Sequence, residues 1–236
     1  MHRNPEPSAT SRPPLEIVIP ARAAAAPPTP VTHAARLADL AGVFTLPLAG
    51  LGVVVLIHYG LGTSVARLTR DPLATANLSP LTGLLSSLGV LVWAATVTVC
   101  LFGARIHRDR PQRAEERGFF LGFGVLSAVL LVDDLFRIHD YYADMIGITE
   151  HMLFALYGAT ALALLIRYQR FIRSASWSLL AIAFVCFATS IVVDAEVFTL
   201  PFGHHLVEDG SKWLGICAWC AYFSRRVFET LTSPSR

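Results

Sequence analysis

Hydrophobic positions along this chain fall into six long segments that are separated by short polar stretches. A helix needs roughly 20 residues, rising about 1.5 Å each, to cross the hydrocarbon core of a bilayer. The pattern therefore predicts an all-α, polytopic membrane protein that forms a six-helix transmembrane bundle. We place the six segments at residues 43–60, 81–103, 118–137, 150–168, 177–198 and 205–224.

The composition agrees with a chain that faces lipid. It is 54% hydrophobic and only 15% charged, whereas soluble domains carry about 25% charged residues. The net charge is +2 and the arginines are scattered between apolar runs, which excludes a nucleic-acid-binding surface. All four cysteines lie in apolar stretches, where they are expected to pack as small buried side chains rather than form disulfides.

The ends of the chain predict the domain organisation and the orientation. Residues 1–35 are rich in proline and alanine and are expected to form a disordered cytoplasmic tail. The transmembrane domain then covers residues 36–228, and residues 229–236 form a short cytoplasmic tail. Of the 19 lysines and arginines, 15 lie in the two tails and in alternate loops. This asymmetry predicts a multi-pass protein of the inner cell membrane with both termini in the cytoplasm.

Two of the segments reach spanning length only by including charged residues. The third is uninterrupted only over residues 119–132, and the sixth only over residues 213–223. Because each apolar stretch is too short to span alone, Asp133, Asp134 and the polar start of the sixth segment must enter the membrane or its interface.

The predicted topology brings such polar ends together. Segments three and five run outward and segments four and six run inward, so the polar ends of all four lie at the outer face. Ionisable residues inside membrane segments are rare and costly, and they are candidates for function by default. The residues concerned are Asp133, Asp134, His139, Glu150, His151, Asp194, Glu196, His204, His205, Glu208 and Asp209.

Histidine and carboxylate side chains from several helices favour a divalent metal, with zinc first among the candidates. A bound metal would lower the pKa of a water ligand, and Glu208 or Asp133 would then act as the general base. The chain lacks the Glu-x-x-His and His-Glu-x-x-His motifs of helical metal sites. The predicted ligands are Asp134, His139, His151, Asp194, His205 and Asp209.

Structural explanations stand beside these assignments. Asp133 and Arg137 are four residues apart and can form a salt bridge on one helix face, and Glu208 can pair with Lys212 in the same way. His139 can turn inward only if the helix ends or bends before it.

The leading hypothesis is a metal-dependent intramembrane hydrolase that acts on a membrane lipid or a lipid-like substrate. One alternative is a small proton- or cation-coupled transporter, in which Asp194, Asp134 and Glu208 relay cations. Another is an accessory subunit of a membrane complex. The sequence leaves open whether the protein is an enzyme, and whether it forms a homo-oligomer or joins such a complex.

Overall fold

The computed structural model describes residues 33–142, 145, 147–174, 177–195 and 203–232, and all regular secondary structure within these ranges is helical. Most of the predicted disordered tail lies outside the described residues. The helices are α1 (His33–Leu61), α2 (Val65–Thr69), α3 (Pro72–Thr75), α4 (Leu84–Ile106), α5 (Ala114–Phe136), α6 (Glu150–Arg167), α7 (Gln169–Arg173), α8 (Ser178–Asp194) and α9 (His204–Thr232).

Two compact units divide the chain, residues 1–71 and residues 72–236. In the first unit, α1 contacts α2 and contains Pro47. Proline is tolerated inside a membrane helix because neighbouring groups can satisfy the freed carbonyl. The second unit contains α3 to α9 and is the part that builds the candidate site.

Three helical stretches are long and apolar enough to cross a membrane, namely Leu84–Ile106, Pro111–Phe136 and Glu150–Arg167. The stretch Pro47–Leu61 and helix α8 are apolar but shorter. Each of the six predicted segments overlaps a helix, so the all-helical prediction is confirmed. The six-helix transmembrane bundle is not confirmed, because only three helical stretches among the described residues have the length and hydropathy that spanning needs.

A packed aromatic core holds the second unit together where α5 meets α9. Phe119, Phe123, Trp219 and Phe223 are at most 1% exposed, and their rings contact one another at centroid distances of 4.9–5.7 Å. The indole N–H of Trp219 donates to the Ser127 hydroxyl at 3.0 Å. Burial of such rings is the largest apolar contribution that a small helical domain can make.

Glycines allow the closest helix approaches. A Cβ at Gly215 of α9 would lie 2.7 Å from the Phe187 ring of α8, and a Cβ at Gly122 of α5 would lie 2.8 Å from Leu164 of α6. Helix α6 is otherwise peripheral, with Ala161 as its buried residue. Helices α4, α5, α8 and α9 therefore form the packed body, and α6 lies against α5 at its side.

Candidate functional site

A cavity of about 450 Å³ lies where α4, α5, α6, α8 and α9 surround a common space. This volume is within the usual range for small-molecule sites. Six carboxylates and two cationic side chains face it, so the cavity carries an excess of negative charge when its histidine is neutral. Its ionisable lining residues are Asp133, Asp134, Arg137, His139, Glu150, Asp194, Glu208, Asp209 and Lys212.

The end of α5 positions the first pair of these residues. Arg137 adopts a left-handed conformation (φ 52°) and ends the helix, while its N–H donates to the Asp133 carbonyl. A π-type turn follows at Ile138–Tyr142. The α-helix therefore ends before His139. This is the helix end that an inward-facing His139 requires.

His139 and Asp133 form a hydrogen-bonded dyad as a result. The His139 backbone N–H donates to Asp133 Oδ1 at 2.9 Å, and His139 Nδ1 lies 2.8 Å from Asp133 Oδ2. Asp133 is only 3% exposed. A carboxylate at Nδ1 orients the imidazole ring and holds it beside Asp133.

Asp134 is held between two other helices. The indole N–H of Trp93 on α4 donates to Asp134 Oδ2 at 2.9 Å, and the Lys212 ammonium on α9 donates to Oδ1 at 2.7 Å. Lys212 thus pairs across helices with Asp134 rather than along its own helix with Glu208. The contact balances one carboxylate charge and fixes its position on the cavity wall.

These residues form a compact set of donor atoms. One ligand atom each from Asp133, Asp134 and His139 lies within 4.8 Å of the others, which is close enough to share a metal ion. Each carboxylate oxygen has two lone pairs, so a hydrogen bond still leaves one for coordination. The Tyr157 phenol of α6 interacts with Asp133 and adds a further polar group to this wall.

A second group of carboxylates lies at the same end of the cavity. Glu208 is close enough to Asp194 and Asp209 for their negative charges to repel its own. It lies 3.8 Å from His204 Nε2 and 3.6 Å from His205 Nδ1. Within the described part of the chain, Asp194 forms no hydrogen bond or ion pair. These carboxylates supply negative charge that a cation or a hydrogen-bond donor can neutralise.

The structure brings six of the eight predicted site residues to this cavity. It places two elsewhere: His151 is exposed on α6, and the His205 side chain is 91% exposed. Glu196, one of the wider candidates, lies outside the described residues. The six that line the cavity are Asp133, Asp134, His139, Asp194, Glu208 and Asp209.

Sequence patterns missed two contributors and indicated the wrong partner for a third. Trp93 and Tyr157 look like ordinary apolar-segment aromatics, and only a tertiary contact reveals their hydrogen-bonding role. Lys212 is the single lysine of the chain, and it contacts Asp134 rather than Glu208, the partner that its spacing favours. The apolar lining was missed with them, and it comprises Leu126, Leu130, Phe154, Ala161, Phe184, Phe187, Ala188, Ile191 and Trp219.

The opposite end of α9 carries a smaller polar cluster. His107 is buried, with its Nε2 3.2 Å from the Thr230 hydroxyl and 3.4 Å from Glu116. Arg113 donates to the Thr230 carbonyl at 2.9 Å. Burial lowers the pKa of His107, and the nearby Glu116 opposes that shift without cancelling it. These contacts tie the ends of α4, α5 and α9 together.

Comparison with known proteins gives a family but no activity. A family model described as a domain of unknown function, DUF8692, matches residues 45–226, which include every residue that lines the cavity. No curated protein and no solved structure matches the chain.

Proposed function

This chain belongs to the DUF8692 family, whose function is unknown, and from the geometry of its cavity we propose that it is a multi-pass membrane hydrolase. It would use a divalent metal, zinc first, to cleave a lipid-like substrate. The six apolar segments would all span the membrane, with both termini in the cytoplasm and the cavity near the outer face.

The observation that carries this proposal is the cluster of Asp133, Asp134 and His139. Two carboxylates and one imidazole are a ligand set that suits zinc, and catalytic zinc sites use three protein ligands and leave a position for water. Zinc lowers the pKa of such a water to about 7 and so supplies hydroxide at neutral pH. The remaining predicted ligands, His151 and His205, take no part in this proposal.

The charge of the cavity is compatible with a divalent cation. Six carboxylates against two cationic side chains leave an excess of four negative charges, which a divalent cation would halve. Lys212 partly neutralises the charge of Asp134, which lowers the attraction of that ligand for a cation. Asp194, Glu208 and Asp209 lie at the same end of the cavity, and their negative charges offset this loss. The electrostatic field of the site therefore favours a cation over an anion.

The dyad geometry suggests separate roles for the two predicted bases. Both Asp133 oxygens accept from His139, and Asp133 belongs to the proposed ligand cluster, so it is not assigned as the base. Glu208 is half-buried at the cavity and is assigned as the general base. It would take a proton from the attacking water while the water oxygen bonds to the substrate carbonyl carbon. The bond from that carbon to the leaving oxygen or nitrogen would then break, and the proton would pass from Glu208 to the leaving atom.

Packing beside the cavity favours an enzyme over a carrier. Trp219 lines the cavity, and the buried rings of Phe123 and Phe223 pack directly against it. A carrier must open its site to both sides of the membrane, and here a dense aromatic core would have to separate first. The proton- or cation-coupled transporter is accordingly the second choice.

The proposal is tested with purified protein in liposomes, a panel of acyl ester and acyl amide lipids, and metal analysis. Asp134→Asn, His139→Ala and Glu208→Gln are each expected to lower hydrolysis at least about 100-fold, the usual size of a lost acid–base or metal contribution. Asp134→Asn and His139→Ala should also lose bound metal.

An exposed histidine outside the cavity provides a matched control. His151→Ala removes an imidazole group from the surface of α6 and should keep both metal and activity. If metal-free wild-type protein hydrolyses lipid with or without a chelator, hydrolysis does not depend on a metal. Absence of hydrolysis across the panel, together with proton-driven flux, would instead support the carrier.

A further inference from the structure

We propose that the apolar end of the cavity is a binding site for the acyl chain of a bilayer lipid, which enters sideways from the membrane between α6 and α8. The catalytic meaning of this site rests on the proposed function, but the binding itself does not.

Charged and apolar lining residues are segregated along every helix that contributes both. On α5, Leu126 lies seven residues from Asp133, a separation of about 10 Å along the axis. On α8, Phe184 lies ten residues from Asp194, which is about 15 Å. The cavity is thus elongated, with charge at one end and rings at the other.

Helix α6 and helix α9 repeat this order in the opposite chain direction. Glu150 is at the polar end, and Phe154 and Ala161 follow deeper along α6. On α9, Lys212 precedes Trp219 by seven residues, about 10 Å. An elongated pocket with a polar head region and an apolar tail region matches an amphiphile, because each part of that ligand then meets the surface that solvates it.

The cavity wall is exposed where α6 and α8 contribute to it. Gly158 of α6 and Ile191 of α8 both line the cavity, and both are exposed. Helix α8 packs on α9, and α6 packs on α5, so the two cavity walls belong to different helix pairs. The gap between them therefore connects the apolar end with the surroundings.

The position of this gap identifies the occupant. Gly158 lies in the middle of a helix that is long and apolar enough to span a membrane, so the opening faces hydrocarbon rather than water. The molecules that fill that layer are lipid acyl chains. A chain seated at the aromatic end would place the carbonyl linkage of its lipid near Asp133 and His139, which identifies acyl esters and acyl amides as the substrate class.

The chain offers an intrinsic probe for this site. It contains four tryptophans, of which Trp93 and Trp219 line the cavity and are at most 3% exposed. Replacing Trp177 and Trp213 by phenylalanine leaves these two as the only emitters. Bromine atoms on a lipid acyl chain quench indole fluorescence on contact, so in liposomes containing brominated phosphatidylcholine we expect strong quenching of this variant.

A bulky residue at the gap should prevent the quenching. A Cβ at Gly158 would meet nothing within 4 Å, so a side chain can start at this position without a clash. In the two-tryptophan background Gly158→Phe should remove most of the quenching. Gly210→Phe is the matched control, because Gly210 is also an uncrowded helical glycine but does not line the cavity, and it should leave the quenching unchanged.

The outcomes separate this inference from the proposed hydrolase. Weak quenching of Trp93 and Trp219, or quenching that Gly158→Phe does not reduce, would overturn the acyl-chain site. Adding Asp133→Asn to the two-tryptophan variant should leave the quenching by brominated lipid unchanged, because the lipid acyl chain binds away from that carboxylate. Full quenching in a protein that hydrolyses no lipid would support the acyl-chain site and contradict the proposed hydrolase.

Discussion

At the scale of single residues, the contact between Lys212 and Asp134 is the most consequential. The ammonium and the carboxylate are 2.7 Å apart, and the carboxylate side chain is only 12% exposed. Removing one partner of such a pair leaves the other charge poorly solvated. The residue that sequence spacing pairs with Lys212 is Glu208, four positions earlier. The tertiary partner lies 78 residues away, and no local pattern specifies it.

Lys212→Met is therefore expected to destabilise the protein by about 1–3 kcal/mol, the cost of leaving a buried polar group without its partner. Denaturant titration in detergent measures this change. Adding Asp134→Asn removes the stranded charge and should recover at least half of the loss. If the Lys212→Met protein is as stable as the wild type, the ion pair does not form.

The sequence indicates residues of the cavity lining where a charge interrupts an apolar run. Asp133, Asp134 and Glu208 stand out in this way, because a charge in a hydrophobic segment is costly enough to need a reason. Prediction from sequence failed for Trp93 and Tyr157, whose apolar rings fit a membrane segment and hide the polar group that reaches the cavity. The catalytic and ligand roles assigned to the charged residues remain predictions.

At the scale of helices, the close approach of α8 and α9 depends on Gly215. A Cβ there would lie 2.7 Å from the Phe187 ring and 3.2 Å from the Cys186 Cβ. Phe187 and Trp219 both line the cavity, so this helix contact also shapes the apolar end of the site.

Gly215→Ala should destabilise the protein by about 1–3 kcal/mol, because a methyl group forced into a packed contact displaces its neighbours. Thermal melting of the purified variant measures this effect. Gly210→Ala on the same helix is the control. Its Cβ meets nothing within 4 Å, and the better helix propensity of alanine should leave it as stable as the wild type or up to about 1 kcal/mol more stable. Equal melting of the two variants would contradict the packing described for α8 and α9.

The junction of α4, α5 and α9 makes the stability of the protein depend on pH. Burial holds the pKa of His107 below its ordinary value of 6.5, with Arg113 and Arg110 acting in the same direction and Glu116 against them. The unfolded chain therefore binds a proton at a higher pH than the folded protein does. Stability contributed by neutral His107 is complete above pH 6.5 and is lost as the pH falls below that value.

Stability measured between pH 7 and pH 5 should accordingly decline in the wild type, and His107→Gln should flatten the decline. His151→Gln, which alters an exposed histidine, should keep the wild-type slope. A decline that persists unchanged in His107→Gln would assign the pH dependence to other groups.

The helices themselves were largely predictable, because runs of apolar residues specify them directly. The segment expected at residues 150–168 corresponds to Glu150–Arg167, and that expected at residues 81–103 corresponds to Leu84–Ile106. The end of α5 was harder to place. The left-handed Arg137 that stops it is not glycine or asparagine, so the sequence carries no ordinary stop signal at this position.

At the scale of the whole molecule, the second unit divides into an aromatic core and a polar cavity. The convergence of four polar helix ends follows from topology, since helices that alternate in direction bring alternate ends to one face. What topology does not determine is the rotation of each helix. That rotation turns Asp133, Asp194 and Glu208 toward the cavity and leaves His151 on the surface.

The central claim is that this cavity binds a metal ion between Asp133, Asp134 and His139. Anomalous diffraction from crystals grown with zinc, recorded on both sides of the zinc absorption edge, tests it most directly. The account predicts one strong peak within about 2–2.2 Å of an oxygen or nitrogen of each of these residues. Zinc bound only at the exposed His151 or His205, with no peak in the cavity, would contradict it.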